Sequence, residues 1–472
     1  MQQVKKQYGI WTGIAMVIGI VIGSGVFIKA ATALGNAGGD LKIALLAWLV
    51  GGLIMVSSGF CFAVFATKVT KFNGVVDYVE AATNKKVGYF IAWTMTTLYY
   101  PIITSIVAIF AGQYFFRMFG LNLGLGDWQV LLFAFVFITL SVILNYFSPR
   151  LSAKFQVSAT FIKLIPIALV VVVGLLATII VGPDFGIFNA LQNNATSAGV
   201  ADFGRTVTTT AFAYEGWVCA TSINAELKDS KKNLPRALVF GTIAILIFYL
   251  LYYTALSSIL GNEGVLAAGG NAPVVVFEKI FGGVGGFIFT LFITISCMGT
   301  VNGLVISSCR GMYTLSCRGQ GICPEKFSKL SSNGSTSFWS CVYGYGCTII
   351  LLALWALIFH NEWFGTHFGA LDELVCAIIY AVYITMYIYI MKNFKDVGIF
   401  KRFVMPIIAI IGAAFFTLCG TGLFSLITTG NPSGVINFGL FLVLFAIFVG
   451  PSIFFYRKDA KPIVKDEEIE NK

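Results

Sequence analysis

Val21-Ile22-Gly23-Ser24-Gly25-Val26-Phe27 lies in the middle of the first long apolar run of the chain. The run is long enough to cross a bilayer. Three small residues in a row at that depth predict that the helix opens there. Lipid offers no hydrogen bonds to freed backbone groups. Such an opening therefore survives only where those groups line a cavity or meet neighbouring protein. Broken helices at membrane mid-depth mark solute sites in secondary transporters. A second candidate break stands further on, at Phe212-Ala213-Tyr214-Glu215-Gly216-Trp217, again in an apolar run.

The whole composition agrees with a membrane setting. The 472 residues are 58% hydrophobic and 11% charged, with a mean hydropathy of +0.87. Soluble domains carry about 25% charged residues. The apolar residues come in long blocks, which predicts an all-α polytopic membrane protein. The first block runs about 25 residues without a small-residue cleavage pattern, so it is expected to stay as a helix and not to be removed as a signal peptide. Twelve spans are expected, over 9–34, 41–67, 87–118, 128–147, 153–182, 205–226, 236–261, 274–311, 338–359, 370–391, 403–427 and 434–456.

Charge tests that count. With the N-terminus inside, the tails and even-numbered gaps hold 25 of the 31 basic residues, the outer gaps hold five, and Lys163 is alone inside a span. This is the positive-inside asymmetry, and it puts both ends in the cytoplasm of a cell-membrane protein. The net charge of +10 then reflects topology and an anionic inner leaflet, not nucleic-acid binding.

Spans one to five (9–182) and six to ten (205–391) can be laid over each other, so that the two breaks correspond. This is the pattern of a five-plus-five inverted repeat, here followed by two additional helices (403–456) and a tail (457–472). No separate soluble domain is expected. Seven of the ten cysteines fall in expected spans, and Cys309, Cys317 and Cys323 lie in or near one inner loop. Free thiols are expected throughout. Cys317 and Cys323 alone make a poor metal site, and neither a metal nor a cofactor is expected.

Opening a helix creates a new N-terminus with free N–H groups and partial positive charge, suited to a carboxylate. Gly23, Ser24 and Gly25 supply that at the first break; the competing reading is close packing of two helices through small residues. At the second, Phe212, Ala213 and Tyr214 end a half-helix, and unwound carbonyls suit an ammonium group. Together the two ends describe an α-amino acid. Glu215, charged and inside a span, costs about 2.5–3.5 kcal/mol on insertion scales and must face a cavity or a partner. It is read either as a substrate contact or as a snorkelling or gating residue. Lys163 sits ~15 Å into its span at 1.5 Å per residue. It is read as a fixed charge standing where a cation would otherwise bind, as a titrating group, or as a tether between helices. Pro166 is expected to kink that span. Tyr252 and Tyr253 lie mid-span seven, where a buried phenol seeks a partner or simply packs.

G-S-G-V-F in span one, F-I-K-L-I-P in span five, F-A-Y-E-G-W in span six, N-L-P-R-A at 233–237 and S-C-M-G-T-V-N-G at 296–303 resemble the L-type amino-acid transporters. These belong to the amino acid–polyamine–organocation superfamily, and the likeness is to bacterial members related to the light subunits of heteromeric exchangers. The resemblance implies the leucine-transporter fold and sodium-independent amino-acid exchange. It implies that amides at Ser24 and Gly25 bind the substrate carboxylate, that carbonyls near Val21 and Phe212 hold the amine, and that Phe212 is an aromatic gate. It implies that Lys163 replaces a sodium ion and joins span one to span eight near Ser296, and that Tyr253 takes part in recognition. Glu215 departs from the Gly or Asp of relatives. Residues 120–128 lack the cysteine by which animal light subunits join a heavy subunit, so no disulfide-linked partner is expected.

The expected activity is alternating-access exchange of neutral L-amino acids, with the bilayer and the amino acid as partners and no enzymatic step. An amine, cationic amino-acid or proton-coupled carrier of the same fold is the first alternative. A channel or a non-transporting sensor is the second.

Overall fold

The computed structural model describes residues 6, 8–23, 25–69, 74–181, 186–331, 336–430 and 432–463. Regular structure among them is helical; Tyr8 and Leu227 form an isolated parallel β-bridge. The helices used below are α1 (Ile10–Val21), α2 (Gly25–Asn36), α3 (Leu41–Lys68), α4 (Lys85–Met118), α5 (Trp128–Phe147), α6 (Pro149–Val181), α7 (Phe203–Ala213), α8 (Ser230–Ala268), α9 (Ala272–Phe281), α10 (Gly283–Cys317), α11 (Phe338–His360), α12 (Leu371–Asn393), α13 (Met405–Gly420) and α14 (Ser433–Val449).

Among the described residues, eleven helical runs are long and apolar enough to cross a membrane, where twelve were expected. The shortfall is the sixth. It is present as the 11-residue α7 and a 3-10 stretch, Trp217–Glu226, separated by a turn. Eleven residues rise only about 17 Å as α-helix. The break that marks this run also removes it from a count of continuous spans.

Of the next two boundaries, one agrees with the sequence expectation and one differs. Gly261, with φ 70° and ψ 164°, interrupts α8 where span seven was expected to end. Glycine adopts that conformation without a Cβ penalty. The segment that follows forms the separate α9, so the helix expected from 274 begins at Gly283 and runs on to Cys317. Pro166 does not interrupt α6.

Burial ranks the helices. In the most apolar window of Lys85–Met118, 94% of positions are buried, against 17% for Ser433–Phe455. The α4 helix therefore runs through the centre of the bundle, and α14 lies at its lipid-facing edge. Within α4, Met95–Tyr99 forms a π-helical turn just before Pro101. Proline has no N–H to donate, and a wide turn is one way to absorb the missing bond.

Both ends of the described chain meet the same end of α10. Tyr8 exchanges backbone bonds with the end of the 3-10 stretch and the residues just after it (Tyr8 N to Glu226 O, 3.1 Å; Lys228 N to Tyr8 O, 2.9 Å). The C-terminal segment returns to the same region, with Ile463 N donating to Cys317 O at 2.9 Å. All ten cysteines are free.

Candidate functional site

The first break is real backbone geometry. Helix α1 ends at Val21, α2 starts at Gly25, and Ser24 lies outside the described residues. The glycines on either side are tightly packed. A Cβ on Gly23 would come within 2.9 Å of Thr300 Oγ1, and one on Gly25 within 3.1 Å of the Ala213 Cα. Close packing and helix opening, weighed as alternatives from the sequence, thus occur together.

The second break lies against the first. Helix α7 ends at Ala213, and Gly216 turns the chain with φ 106°, a left-handed conformation suited to glycine. Glu215 N donates to Phe212 O at 2.9 Å, closing the turn. The N-terminal end of α2 therefore abuts the C-terminal end of α7, and the C-terminal end of α1 is beside both. Partial positive and partial negative helix ends converge on one spot.

Tyr249 of α8 ties that spot together. Its buried hydroxyl lies 2.9 Å from Val21 O and 3.1 Å from Ala213 O. A hydroxyl has one proton and serves one of these acceptors at a time. Tyr253, one turn on, was the residue expected here. It packs instead against the Trp48 ring at 5.5 Å, and its hydroxyl has no hydrogen-bond partner among the described residues. Tyr252 is likewise a packing residue, edge-on to Phe27. Residues four apart share a helix face, so Tyr249 lies on the face of Tyr253, one turn nearer the breaks, and the sequence reading had not singled it out.

Lys163 is fully buried and caps the end of α1. Its Nζ donates to Ile22 O at 2.5 Å, Gly19 O at 2.6 Å and Ser296 O at 3.0 Å, with Thr300 Oγ1 a fourth oxygen in reach at 3.3 Å. These acceptors are neutral. The last carbonyls of a helix have no internal partner and carry partial negative charge, so an ammonium group satisfies both needs. Ser296 adds a donor to Ile22 O at 3.1 Å, and Thr300 donates within reach of Gly19 O and Ile20 O. Thr300 was not singled out from the sequence, although it follows Ser296 by one turn. Below Lys163 on the same face of α6, Thr160 and Gln156 reach Ala15 O at 3.3 and 3.4 Å.

Glu215 reaches α4. Its Oε1 accepts from the Tyr99 hydroxyl at 2.6 Å, at the end of the π-helical turn of α4. Its Oε2 is buried without a partner among the described residues.

Charged pairs lie on either side of the breaks. On the α2 side, Lys29 pairs with Glu373 of α12 at 2.8 Å and stands 4.9 Å from the centre of the Phe212 ring. At the other end, the buried Arg310 binds the Glu226 carboxylate with two nitrogens and reaches the Tyr8 hydroxyl at 3.2 Å. Lys163 is therefore not the only basic residue buried within a span, as the sequence suggested: Arg310, expected at a loop margin, lies in α10. Arg310 stands one residue inside the expected end at 311, and α10 continues six residues further to Cys317, so a charge counted with the inner gap lies well within the helix.

A family model described as amino acid permease matches residues 8–454. The serine/threonine exchanger SteT of Bacillus subtilis is 29% identical over 424 residues, which is 88% of this chain and 91% of that protein. The human cystine/glutamate transporter is 25% identical over 350 residues, 74% of this chain and 68% of the transporter. The human large neutral amino acids transporter small subunit 2 is 27% identical over 308 residues, 65% of this chain and 57% of that subunit.

Proposed function

The chain belongs to the amino acid permease family, and we propose that it exchanges neutral L-amino acids across the cell membrane by alternating access, without sodium. The observation that carries this reading is the meeting of three helix ends at Tyr249. An α-amino acid has one anionic and one cationic end. The carboxylate suits the amides of Gly23, Ser24 and Gly25 at the start of α2. The ammonium suits Val21 O and the carbonyls of Phe212 and Ala213, where the single Tyr249 hydroxyl proton leaves one of its two acceptors unserved at any moment. Phe212 covers the substrate. Independence from sodium rests on Lys163, whose charge already lies among oxygens of α1 and α10 with Ser296 among them.

Alternating access needs one group of helices to rock against another. The moving group is α1, α2, α3, α7, the 3-10 stretch and α8, and the scaffold is α4, α5, α10 and α11. Residues 9–182 and 205–391 act as the inverted repeats, each with its break, and 403–456 stand outside them. Charge asymmetry puts both termini in the cytoplasm. The gap at 120–128 has no cysteine, which supports action without a disulfide-linked heavy subunit.

The test is uptake of labelled serine, threonine and larger neutral amino acids into proteoliposomes in sodium-free buffer. Uptake that needs internal amino acid supports exchange. Uptake into empty vesicles driven by an acid exterior replaces exchange with proton symport. Within that assay Tyr249→Phe should raise the KM about tenfold, the loss of one buried hydrogen bond of about 1–1.5 kcal/mol, while Tyr253→Phe stays near wild type. Equal effects of the two would detach Tyr249 from recognition.

Glu215 favours a second reading. A buried carboxylate with a free oxygen can receive a second cationic group, which would make cationic amino acids or decarboxylated amines the substrates. A charge-assisted bond contributes about 1.5–3 kcal/mol. If such compounds compete in the wild type, Glu215→Gln should weaken their competition at least about tenfold and spare neutral amino acids. No competition by them in the wild type rejects the second reading.

A further inference from the structure

A cavity of about 430 Å³ opens at the base of the seam between α1 and α6, with Tyr8, Thr12, Arg150, Lys154 and Ser158 in its lining. It lies on the side where Tyr8 meets Leu227, away from the substrate site. We propose that this cavity holds the phosphate of an anionic phospholipid from the inner leaflet. The proposal rests on the topology given above and not on the identity of the transported solute.

Arg150 and Lys154 stand one turn apart at the start of α6. Neither forms an ion pair among the described residues, whereas Arg310, Arg318 and Lys68 on the same side are each paired to a carboxylate. The two cations also flank the N-terminus of a 33-residue helix, whose first N–H groups carry partial positive charge. Thr12 and Ser158 add hydroxyl donors from the two walls.

The surroundings select a lipid over a soluble anion. Trp11 beside Thr12, Phe147 and Leu151 beside Arg150, and Phe161 further along α6 are 66, 73, 53 and 59% exposed. An apolar rim of that kind suits acyl chains next to a bound headgroup. Basic pockets between helices on the cytoplasmic side are recognised sites for anionic headgroups.

The location gives the lipid a consequence. Above the cavity, α1 is zipped to α6 through Ala15 O with Gln156 and Thr160, and through Gly19 O and Ile22 O with Lys163. A headgroup touching Thr12 on one wall and Arg150 on the other fastens the bottom of the same seam. It therefore favours the conformation in which the seam is closed.

The test compares the full chain with Arg150→Gln/Lys154→Gln and with Lys392→Gln/Lys395→Gln, a basic pair elsewhere on the inner face. Retained lipid is counted by native mass spectrometry, and thermal midpoints are measured with phosphatidylglycerol, phosphatidylcholine or inorganic phosphate. The wild type and the Lys392/Lys395 variant should bind phosphatidylglycerol alone and gain a higher midpoint. The Arg150/Lys154 variant should bind it about thirtyfold more weakly, from about 1 kcal/mol per basic residue near the surface. Undiminished phosphatidylglycerol binding in that variant overturns the proposal, as does equal binding of phosphatidylcholine. The same midpoint rise with millimolar phosphate makes the ligand a soluble anion and overturns the lipid assignment. If the double variant cannot be recovered, Arg150→Gln and Lys154→Gln singly carry the comparison.

Discussion

Lys163→Ala should lower exchange about a hundredfold while the protein still inserts and purifies as a single species. The ammonium group now serves Gly19 O, Ile22 O and Ser296 O, all buried. A buried acceptor left without a donor costs about 1–3 kcal/mol. Ser296 and Thr300 still reach two of the three carbonyls, so the net loss is about 3 kcal/mol and not the full sum. The loss falls on one junction, where α1 meets α6 and α10, and a difference of about 1.4 kcal/mol is already tenfold in a population or a rate. The bundle as a whole does not depend on that junction, which is why insertion survives. Exchange in proteoliposomes and size-exclusion profiles check the two halves of the expectation. Wild-type rates in the variant would remove the lysine from the mechanism.

The second large effect is expected from Gly25→Val, which should weaken substrate binding by about one to two orders of magnitude. A Cβ at this position meets backbone, the Ala213 Cα at 3.1 Å, and then the Ala213 side chain at 3.4 Å. Backbone cannot swing aside as a long side chain does. The γ carbons of valine then force the start of α2 away from the end of α7. Overpacking of this kind costs about 1–3 kcal/mol, and here the strain separates the two helix ends that must grip the same small molecule. Gly25→Ala should show a smaller loss in the same direction. Equilibrium binding of a labelled neutral amino acid measures both. Unchanged affinity in the valine variant would mean that the solute does not sit on this junction.

How much of this was legible in the sequence varies with the physics involved. The broken helices were legible because glycine and a buried acid inside apolar runs contradict the local rule that spans stay continuous. The count of spans was not, because the same break shortens α7 below spanning length. Lys163 stood out as a lone charge inside an apolar run, and it is buried against the end of α1. Its partners did not stand out, since backbone carbonyls have no sequence signature. Tyr249 and Thr300 were missed for a related reason. Periodicity reports which face of a helix turns inward but not which turn meets a neighbour at a given height. Arg310 was misjudged because an arginine near a helix end normally escapes to water. Here Glu226 and Tyr8, both distant in sequence, give it a buried partner.

That last arrangement separates the two faces of the protein electrically. The Arg310–Glu226 side chains are about one-twentieth exposed, whereas Lys29 and Glu373 are about one-fifth exposed. Mobile ions screen charges they can approach and scarcely affect those sealed inside. The Arg310–Glu226 fastening thus holds its strength better across dilute and concentrated media, and the Lys29–Glu373 one weakens as salt rises. Ionic strength becomes a one-sided lever, loosening one end of the bundle and sparing the other.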